Sequence, residues 1–326
     1  MIKILHGADL HLDSPFCEFS PETAAQYRAL QRQLPERLTA LCKEQQCQML
    51  LLAGDVFDGI PYPETVDALR QALAACPVPV FLVPGNHDPL ESGLWDGEWP
   101  QNVHIFRSSG CVRLEDLGCC VHHGRVDSLR AEEDGYLHIG LIHGDEMSSE
   151  QQIARTGLNY LAMGHIHKPA MPRKAGTTWY GWPGTPMGRG FDETGKRGVF
   201  CVELSENSCR TQQIFLEGPR FECYRELWHG GFEPPCDSGT IHARLYLTGP
   251  SEKPDTEKIR KTYEPFFLSL DVIDETEPLR DLWEDCGDGT LRGLALDVLK
   301  SGHEPELAEL AAEFLLAALE GREAPW

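Results

Sequence analysis

The chain of 326 residues is short of basic side chains, with 29 lysines and arginines against 51 aspartates and glutamates. Its formal net charge of −22 at pH 7 argues against an extended basic surface of the kind that binds nucleic acid unaided. A phosphate-rich substrate would therefore need a local source of positive charge. A pair of bound divalent ions would supply it.

Paired cysteine motifs are also missing. The 12 cysteines include no C-x-x-C pair, so the sequence indicates neither a zinc knuckle nor a thioredoxin-type redox site. Cys119 and Cys120 are adjacent, and we expect two ordinary thiols there. Because the cysteines are scattered through a long chain, we expect a reducing, cytoplasmic compartment.

Long apolar runs are absent as well. No run approaches the ~18 residues that suggest a membrane span, and the first residues lack the basic and apolar segments of a signal peptide. We therefore expect no membrane association. The length and the 41% apolar composition predict a substantial core and favour two domains.

Five short apolar runs in the first half of the chain end in polar side chains. Residues 2–5 lead to Asp9 and His11, which project to the same side of an extended stretch and could chelate one ion. Residues 48–53 lead through a glycine to Asp55, whose carboxylate could bridge two cations. Each ending taken alone is more often a turn or a cap than a metal ligand.

The other three runs end in amide or imidazole side chains: residues 79–83 lead to Asn86 and His87, residues 137–142 to His143, and residues 158–163 to His165 and His167. Asn86 offers a neutral oxygen to a hard cation, and His87 could donate a proton. A tight turn is the alternative for both. Five such endings in one chain are very unlikely by chance. His122 and His123, in contrast, point to opposite faces of a strand, and we expect no site there.

Helical spacing of apolar residues predicts helices at 22–46 (with an interruption at Pro35), 64–76, 256–263 and 304–320. Ser148 or Ser149 with Gln151 or Gln152 resembles a capping box that opens another helix, which would end at Gly157. Strands are predicted at 199–204, 211–216, 240–247 and 266–272. The last helix has an apolar side that includes Leu307, Leu310 and Leu319, which could be core or could meet a partner.

The order of the five endings (D-x-H, G-D, G-N-H-D, H-G, G-H-x-H) resembles the calcineurin-like metallophosphoesterase superfamily over residues 2 to about 216. HGADLHLDSPF at 6–16, GDVFD at 54–58 and PGTPMGRGFDETGKRG at 183–198 resemble its SbcD/YhaO-like branch of bacterial DNA repair exonucleases. RLYLTGP at 244–250 resembles the start of that branch's capping domain.

The resemblance implies an α/β (α+β) fold in two domains. Residues 1–218 would form a four-layer αββα nuclease domain. Residues 219–326 would form a small α+β domain for capping and partner docking.

The resemblance also implies two metal sites that share one carboxylate. Their ligands would be Asp9, His11, Asp55 and His167 for one ion, and Asp55, Asn86, His143 and His165 for the other. Mixed imidazole and carboxylate sets suit Mn²⁺, Fe²⁺ or Zn²⁺, and the absence of thiolates disfavours soft ions. Of the three we expect Mn²⁺.

In such proteins a metal-activated hydroxide attacks phosphorus in line. The resemblance implies that His87 assists the leaving oxygen and that Arg189 contacts substrate. Position 58 is Asp where archaeal and eukaryotic relatives carry a second histidine. We expect Asp58 to be catalytic and to alter pH dependence or substrate placement.

We therefore predict that the protein is a metal-dependent DNA exonuclease or endonuclease that acts in DNA repair. Its partners would be DNA and an SbcC-like ATPase, and the protein could also form a homodimer. An alternative keeps the chemistry but takes a small nucleotide or another small phosphodiester, which the low basic content favours and the loop at 183–198 opposes. A non-catalytic binding protein on the same fold is a third candidate.

Overall fold

The computed structural model describes residues 1–144, 149–279, 281–302 and 304–321. Ser148 of the predicted capping box and residues 322–326 of the predicted second domain lie outside these ranges. The chain divides into two compact units. Unit 1 comprises Met1–Cys223, Pro235–Arg244 and Glu264–Leu270, and unit 2 comprises Tyr224–Pro234, Leu245–Tyr263 and Asp271–Trp326. The domain boundary after residue 218 stays a prediction.

Fifteen strands lie within the described residues: β1 (Ile2–Gly7), β2 (Met49–Ala53), β3 (Val80–Val83), β4 (Val103–Ile105), β5 (Gly110–Leu114), β6 (Cys119–His123), β7 (Leu137–Ile142), β8 (Tyr160–Met163), β9 (Ala170–Ala175), β10 (Thr178–Trp182), β11 (Gly198–Leu204), β12 (Cys209–Phe215), β13 (Arg220–Leu227), β14 (Ile241–Ser251) and β15 (Ser269–Pro278).

The same ranges contain seven α-helices: α1 (Pro21–Gln31), α2 (Leu34–Glu44), α3 (Pro63–Ala74), α4 (Glu150–Thr156), α5 (Thr256–Tyr263), α6 (Leu291–Gly302) and α7 (Pro305–Glu320). Short 3₁₀ turns occur at Leu90–Ser92, Glu115–Leu117, Ser238–Thr240 and Glu264–Phe266.

Unit 1 is built on two six-stranded mixed sheets. The first has the order β12-β11-β1-β2-β3-β4, in which β1 to β4 are parallel and β11 is antiparallel to β1. The second has the order β5-β6-β7-β8-β10-β9, in which β6, β7, β8 and β10 are parallel. Three further strands, in the order β13-β14-β15, form a small sheet.

Alternating side chains of β2 show how the layers of unit 1 form. Leu50 and Leu52 point to one face, where they pack with residues of α2 and α3 such as Leu38 and Leu73. The intervening Leu51 points to the opposite face, into a core shared by the two sheets. A strand buried on both faces has to be apolar throughout, and the sequence of β2, MLLLA, meets this requirement.

A third cluster covers the outer face of the second sheet, where Ile153 of α4 packs with Leu161 of β8 and Tyr180 of β10. The layers therefore follow the order helices, sheet, sheet, helix. This arrangement confirms the predicted four-layer αββα sandwich.

The helix predicted over residues 22–46 is two helices, α1 and α2, as the interruption at Pro35 predicted. Pro35 lies in the first turn of α2. Backbone N–H groups in the first turn of a helix have no partner within the helix, so proline, which lacks this group, is well tolerated there. Pro35 therefore marks the start of the second helix as well as the interruption. Ser149 and Gln152 form the predicted capping box, and Gly157 ends α4 with a φ of 67°.

Several elements differ from the sequence patterns. The strand expected at 266–272 is β15, which begins three residues later, and β9, β10, β13 and α6 were not predicted. β9 was missed because its run Pro172-Arg173-Lys174 does not look like a strand in the sequence. Proline and basic residues are tolerated on an edge strand, and β9 lies at the edge of its sheet.

Unit 2 has the predicted α+β content. Its helices α6 and α7 pack through Leu296, Ala312 and Leu316. The helix expected at 304–320 is present, but it buries an alanine-rich stripe and leaves Leu307 and Leu310 about half exposed. Small side chains allow two helices to approach closely, and three of the four buried residues of α7 are alanines.

None of the helices in the described ranges combines the length and the apolar character that crossing a membrane requires.

His6 of β1 is fully buried and its Nδ1 lies 2.9 Å from the Tyr160 hydroxyl of β8. Burial lowers the pKa of His6 from 6.5 to about 3. As pH falls below 6.5, the unfolded chain therefore takes up a proton that the folded chain refuses, and stability is lost.

We predict that the free energy of unfolding falls by about 2 kcal/mol more between pH 7 and pH 5 in the unsubstituted protein than in His6→Asn. Urea titrations of the metal-free proteins at both pH values measure this, with the exposed His229→Asn as the matched control. Equal pH dependence in His6→Asn and the unsubstituted protein would contradict a neutral, buried His6.

Candidate metal centre

The predicted ligands lie just beyond the carboxyl ends of five parallel strands. Asp9 and His11 follow β1, Asp55 follows β2 and Asn86 follows β3. His143, His165 and His167 follow β7 and β8 in the second sheet. Carboxyl ends of parallel strands are the usual place for a site in a sheet of this type, because the loops there converge.

The first group of potential ligands brings together Asp9, His11, Asp55 and His167, one atom of each lying within 4.8 Å of the others. Nε2 of His11 is 3.1 Å from Nε2 of His167 and 3.7 Å from Oδ2 of Asp55. Two imidazole nitrogens at this distance can both direct their lone pairs at one cation.

The second group brings together Asp55, His143 and His165 within the same limit. Oδ1 of Asn86 lies 2.8 Å from Nε2 of His143 and 3.0 Å from Nδ1 of His165. Nε2 of His143 is 3.3 Å from Oδ2 of Asp55. Asp55 is therefore common to both groups, as a bridging carboxylate requires.

The hydrogen bonding of the buried carboxylate oxygens indicates whether these residues fit divalent ions. Asp9 Oδ1 accepts from the backbone N–H of His165 at 2.9 Å, and Asp55 Oδ1 accepts from that of His87 at 2.8 Å. The second oxygen of each carboxylate is buried without a hydrogen-bond partner among the described residues. Such atoms are costly unless a cation compensates them, so the donor set fits bound metal.

Burial disfavours the charged form of Asp9. It raises the pKa of this carboxyl to about 6, and nearby histidines only partly offset it. A bound cation would favour the ionised form and reverse the shift.

Hydrogen bonds behind two of the histidines orient their rings. Nδ1 of His143 lies 2.9 Å from the carbonyl oxygen of Ala53, and Nδ1 of His167 lies 2.8 Å from Oε1 of Glu193. These contacts favour protons on Nδ1 and leave both Nε2 atoms for a metal.

The sequence did not reveal Glu193, a buried carboxylate in the loop at 183–198. Although burial opposes its ionisation, His167 and Arg189 lower the pKa of Glu193 to about 2. Only its position four residues after Arg189, in a loop already singled out, could have drawn attention to it.

Asp88 joins two of the ligand-bearing loops. Its side chain is fully buried and accepts from the backbone N–H groups of Val56 (2.8 Å), Phe57 (3.0 Å) and Gly85 (2.6 Å). These bonds fix the segment after Asp55 against the segment that carries Asn86. The sequence pattern alone indicates no more than a turn at Asp88.

The backbone itself is strained at this edge. Asp9, His11, Asp55 and His165 have φ values of 53°, 46°, 46° and 81°, in the left-handed region that such residues rarely adopt. Gly54 has a φ of 83°, and a Cβ there would lie 2.3 Å from the His143 ring. The glycine before Asp55 is thus required both by conformation and by space.

His87 and Asp58, the predicted catalytic residues, lie together beside the first ligand group. Nδ1 of His87 is 2.8 Å from Oδ1 of Asp58, and the ring of His87 is 4.8 Å from the ring of His11. Ser14 Oγ donates to Asp58 at 2.7 Å. Burial opposes ionisation of Asp58, but contacts with His11, Ser14 and Arg189 hold its pKa well below the usual range.

Arg189, the predicted substrate-binding residue, is engaged within the protein. Its Nη2 lies 2.6 Å from Glu193 Oε1, and its Nη1 lies 3.4 Å from Asp58 Oδ2. It therefore links the carboxylate behind His167 to the carboxylate that holds His87. Direct contact with substrate stays a prediction.

We predict that Glu193→Gln weakens Mn²⁺ binding about 10- to 100-fold, because the charge that orients His167 is lost. Isothermal titration of the purified protein measures the affinity. Asp192→Asn, at the exposed neighbouring position, is the matched control and should bind as the unsubstituted protein does. An equal effect of both substitutions would refute a specific role for Glu193.

We also predict that Asp88→Ala lowers the free energy of unfolding by at least ~3 kcal/mol, because three N–H groups, two of them fully buried, lose their acceptor. Asp116→Ala, at an exposed position, should change it little. Urea unfolding of the metal-free proteins compares the two. If the two substitutions cost the same, Asp88 does not join the loops as described.

The chain is similar in sequence to known proteins. The sequence model for calcineurin-like phosphoesterases matches residues 2–169. The chain is 29% identical over 249 residues to the uncharacterized metallophosphoesterase YhaO of Bacillus subtilis (strain 168), which is 63% of this chain and 58% of that protein.

A shorter match is to the SbcD subunit of the nuclease SbcCD of Rhodobacter capsulatus. It is 41% identical over 96 residues, which is 28% of this chain and 22% of that protein. This chain therefore spans less than two thirds of the length of both relatives. Among solved structures, that of TT1561 of Thermus thermophilus matches this chain with a TM-score of 0.40 and 14% sequence identity. The match covers 65% of this chain and 98% of TT1561.

Proposed function

The chain belongs to the calcineurin-like phosphoesterase family, hydrolases of phosphate esters that bind divalent metals, and from this premise we propose that it is a DNA nuclease of repair. The observation that carries the proposal is the pair of ligand groups that share Asp55, with His87 beside them. Asp9, His11, Asp55 and His167 would hold one ion, and Asp55, Asn86, His143 and His165 the other.

The donor set favours Mn²⁺, with Fe²⁺ or Zn²⁺ as alternatives, because it combines imidazole with carboxylate and amide oxygens and contains no thiolate. Two bound divalent ions would lower the pKa of a water molecule and neutralise charge on the phosphoryl oxygens. The formal charge of the chain is −22, so the site would be a local positive region on an acidic protein.

His87 would transfer a proton to the leaving oxygen. Asp58 binds Nδ1 of His87 at 2.8 Å, which fixes the ring and leaves Nε2 as the atom that faces substrate. Because Asp58 stays ionised, it also stabilises the protonated imidazole. Ser14 and Arg189 keep the carboxylate of Asp58 in place.

DNA is the preferred substrate because the chain resembles the repair-nuclease branch in the loop at 183–198 and is similar to a nuclease subunit over 96 residues. The acidic balance of the chain means that affinity for DNA would depend on the metal centre or on a partner.

An SbcC-like ATPase is the proposed partner. Helices α6 and α7 leave several large apolar side chains exposed, which supports a docking surface in unit 2. These residues are Leu291, Leu294, Val298, Leu307, Leu310 and Leu319.

The low basic content also favours a second candidate, in which the same centre hydrolyses a small nucleotide or another small phosphodiester. Such a substrate needs only the positive charge of the centre itself. The two candidates differ in whether long DNA is cleaved.

We predict that the protein with Mn²⁺ degrades end-labelled linear duplex DNA and that EDTA abolishes the reaction. His87→Ala should lower kcat about 10²- to 10⁴-fold with Mn²⁺ binding retained, because proton transfer is lost but the ligands remain. The exposed His229→Ala is the matched control.

Hydrolysis of bis-p-nitrophenyl phosphate in the same buffer separates the candidates. Cleavage of this compound without cleavage of DNA, also in the presence of an SbcC-like ATPase, would reject the nuclease and favour the small substrate. Undiminished turnover in His87→Ala would reject the proposed role of His87.

A further inference from the structure

Two cysteines and two histidines meet on one face of the second sheet. Cys111 of β5 pairs with His122 of β6, and Cys120 of β6 pairs with His138 of β7. Directly paired residues project to the same face, and Cys120 and His122 are two apart on one strand. All four side chains therefore share a face, opposite to the face of Cys119 and Val121, which lies in the core between the sheets.

In the Cys111–Cys120–His122–His138 cluster, the ligand atoms of the first three residues are close enough to share a small tetrahedral cation, and His138 lies beside His122. Ligand atoms of Cys111, Cys120 and His122 lie within 4.8 Å of one another. Nε2 of His122 is 3.7 Å from Sγ of Cys111 and 2.8 Å from Nδ1 of His138. Tetrahedral zinc, with Zn–S of about 2.3 Å and Zn–N of about 2.0–2.1 Å, places nitrogen and sulfur ligands about 3.6 Å apart and two nitrogens about 3.3 Å apart. The separation of Cys111 and His122 matches the first value, whereas the nitrogens of His122 and His138 are at hydrogen-bond distance and would move apart by about 0.5 Å on binding.

Hydrogen bonding explains only part of the cluster. Nε2 of His138 lies 2.9 Å from Oδ1 of Asp134, so a chain from His122 through His138 to Asp134 can form. That chain gives no reason for two thiols to face the same rings. The close approach of two imidazole nitrogens also occurs in the candidate metal centre, between His11 and His167 at 3.1 Å.

The surroundings of the cluster resemble the outer shell of a structural metal site. Asp134 holds the far nitrogen of His138, which is the usual way to orient a metal-binding imidazole. Arg113 interacts with the Cys120 thiol and pairs with Asp134. Cys120, His122 and His138 are buried, whereas Cys111 is exposed and gives access from solvent.

We propose that Cys111, Cys120, His122 and His138 bind one zinc ion, at a site separate from the centre around Asp55. Two thiolates balance the charge of Zn²⁺, and their two protons pass to solvent on binding. The proton between the two rings moves to the other nitrogen of His122, which frees Nε2. Four protein ligands leave no open position, so the ion would stabilise the sheet and take no part in hydrolysis.

The choice of metal follows from the thiolates. Soft sulfur ligands select zinc over manganese, so the cluster and the centre around Asp55 would take different ions from the same solution. The sequence did not reveal the cluster because its residues lack a C-x-x-C spacing and meet only through the register of β5, β6 and β7.

Cobalt spectroscopy of the full chain tests the proposal, since only a thiolate ligand gives a thiolate-to-cobalt charge-transfer band. The reduced protein with Co²⁺ should show this band, and one equivalent of Zn²⁺ should remove it. Cys120→Ser and the double variant Cys111→Ser, Cys120→Ser should lack it. Cys17→Ser, at an exposed position outside the cluster, and Asp55→Asn, which disrupts the other centre, should keep it.

A folded, reduced protein without the band would overturn the proposal, as would a band that survives in the double variant or a disulfide between Cys111 and Cys120 in freshly purified protein. If the cysteine variants fail to fold, alkylation of the unsubstituted protein decides. Zinc should then slow the modification of the exposed Cys111, located by mass spectrometry, and leave that of Cys17 unchanged; equal rates at Cys111 with and without zinc would reject the site.

Discussion

The Asp55 carboxylate is the group on which the rest of the site depends. One of its oxygens accepts from the backbone of His87, and the other is buried without a partner among the described residues while lying close to imidazoles of both ligand groups. A carboxylate in this position is tolerable only with cations beside it. The strained backbone at Asp55, the glycine before it and the buried Asp88 all serve to hold this one side chain in place.

Much of the metal centre could be predicted from sequence because each ligand follows an apolar run. Parallel strands such as β7 bury both faces, so their sequences are uniformly apolar and their ends are marked by the first polar residues. Helices such as α5 were predicted from apolar spacing in the same way, whereas the four-layer fold was implied by the resemblance to the metallophosphoesterases. Strands such as β9 were missed because edge strands tolerate proline and charge.

The residues that support the ligands could not be predicted, since no periodicity places them. Glu193 reaches His167 only through the conformation of a long loop, and Asp88 is defined by the backbone groups that surround it. Asp58 was expected near substrate, and its hydrogen bond to His87 emerges only when two loops are placed side by side. The Cys111–Cys120–His122–His138 cluster depends in the same way on strand register, which apolar patterns alone do not fix.

The central claim is that Asp55 bridges two divalent ions, and crystallography with Mn²⁺ tests it most directly. Anomalous difference maps should contain two peaks about 3.5–4 Å apart on either side of the Asp55 carboxylate. One peak should lie by His11 and His167, and the other by His143 and His165. A single peak, or peaks that Asp55 does not contact, would contradict this bridging role.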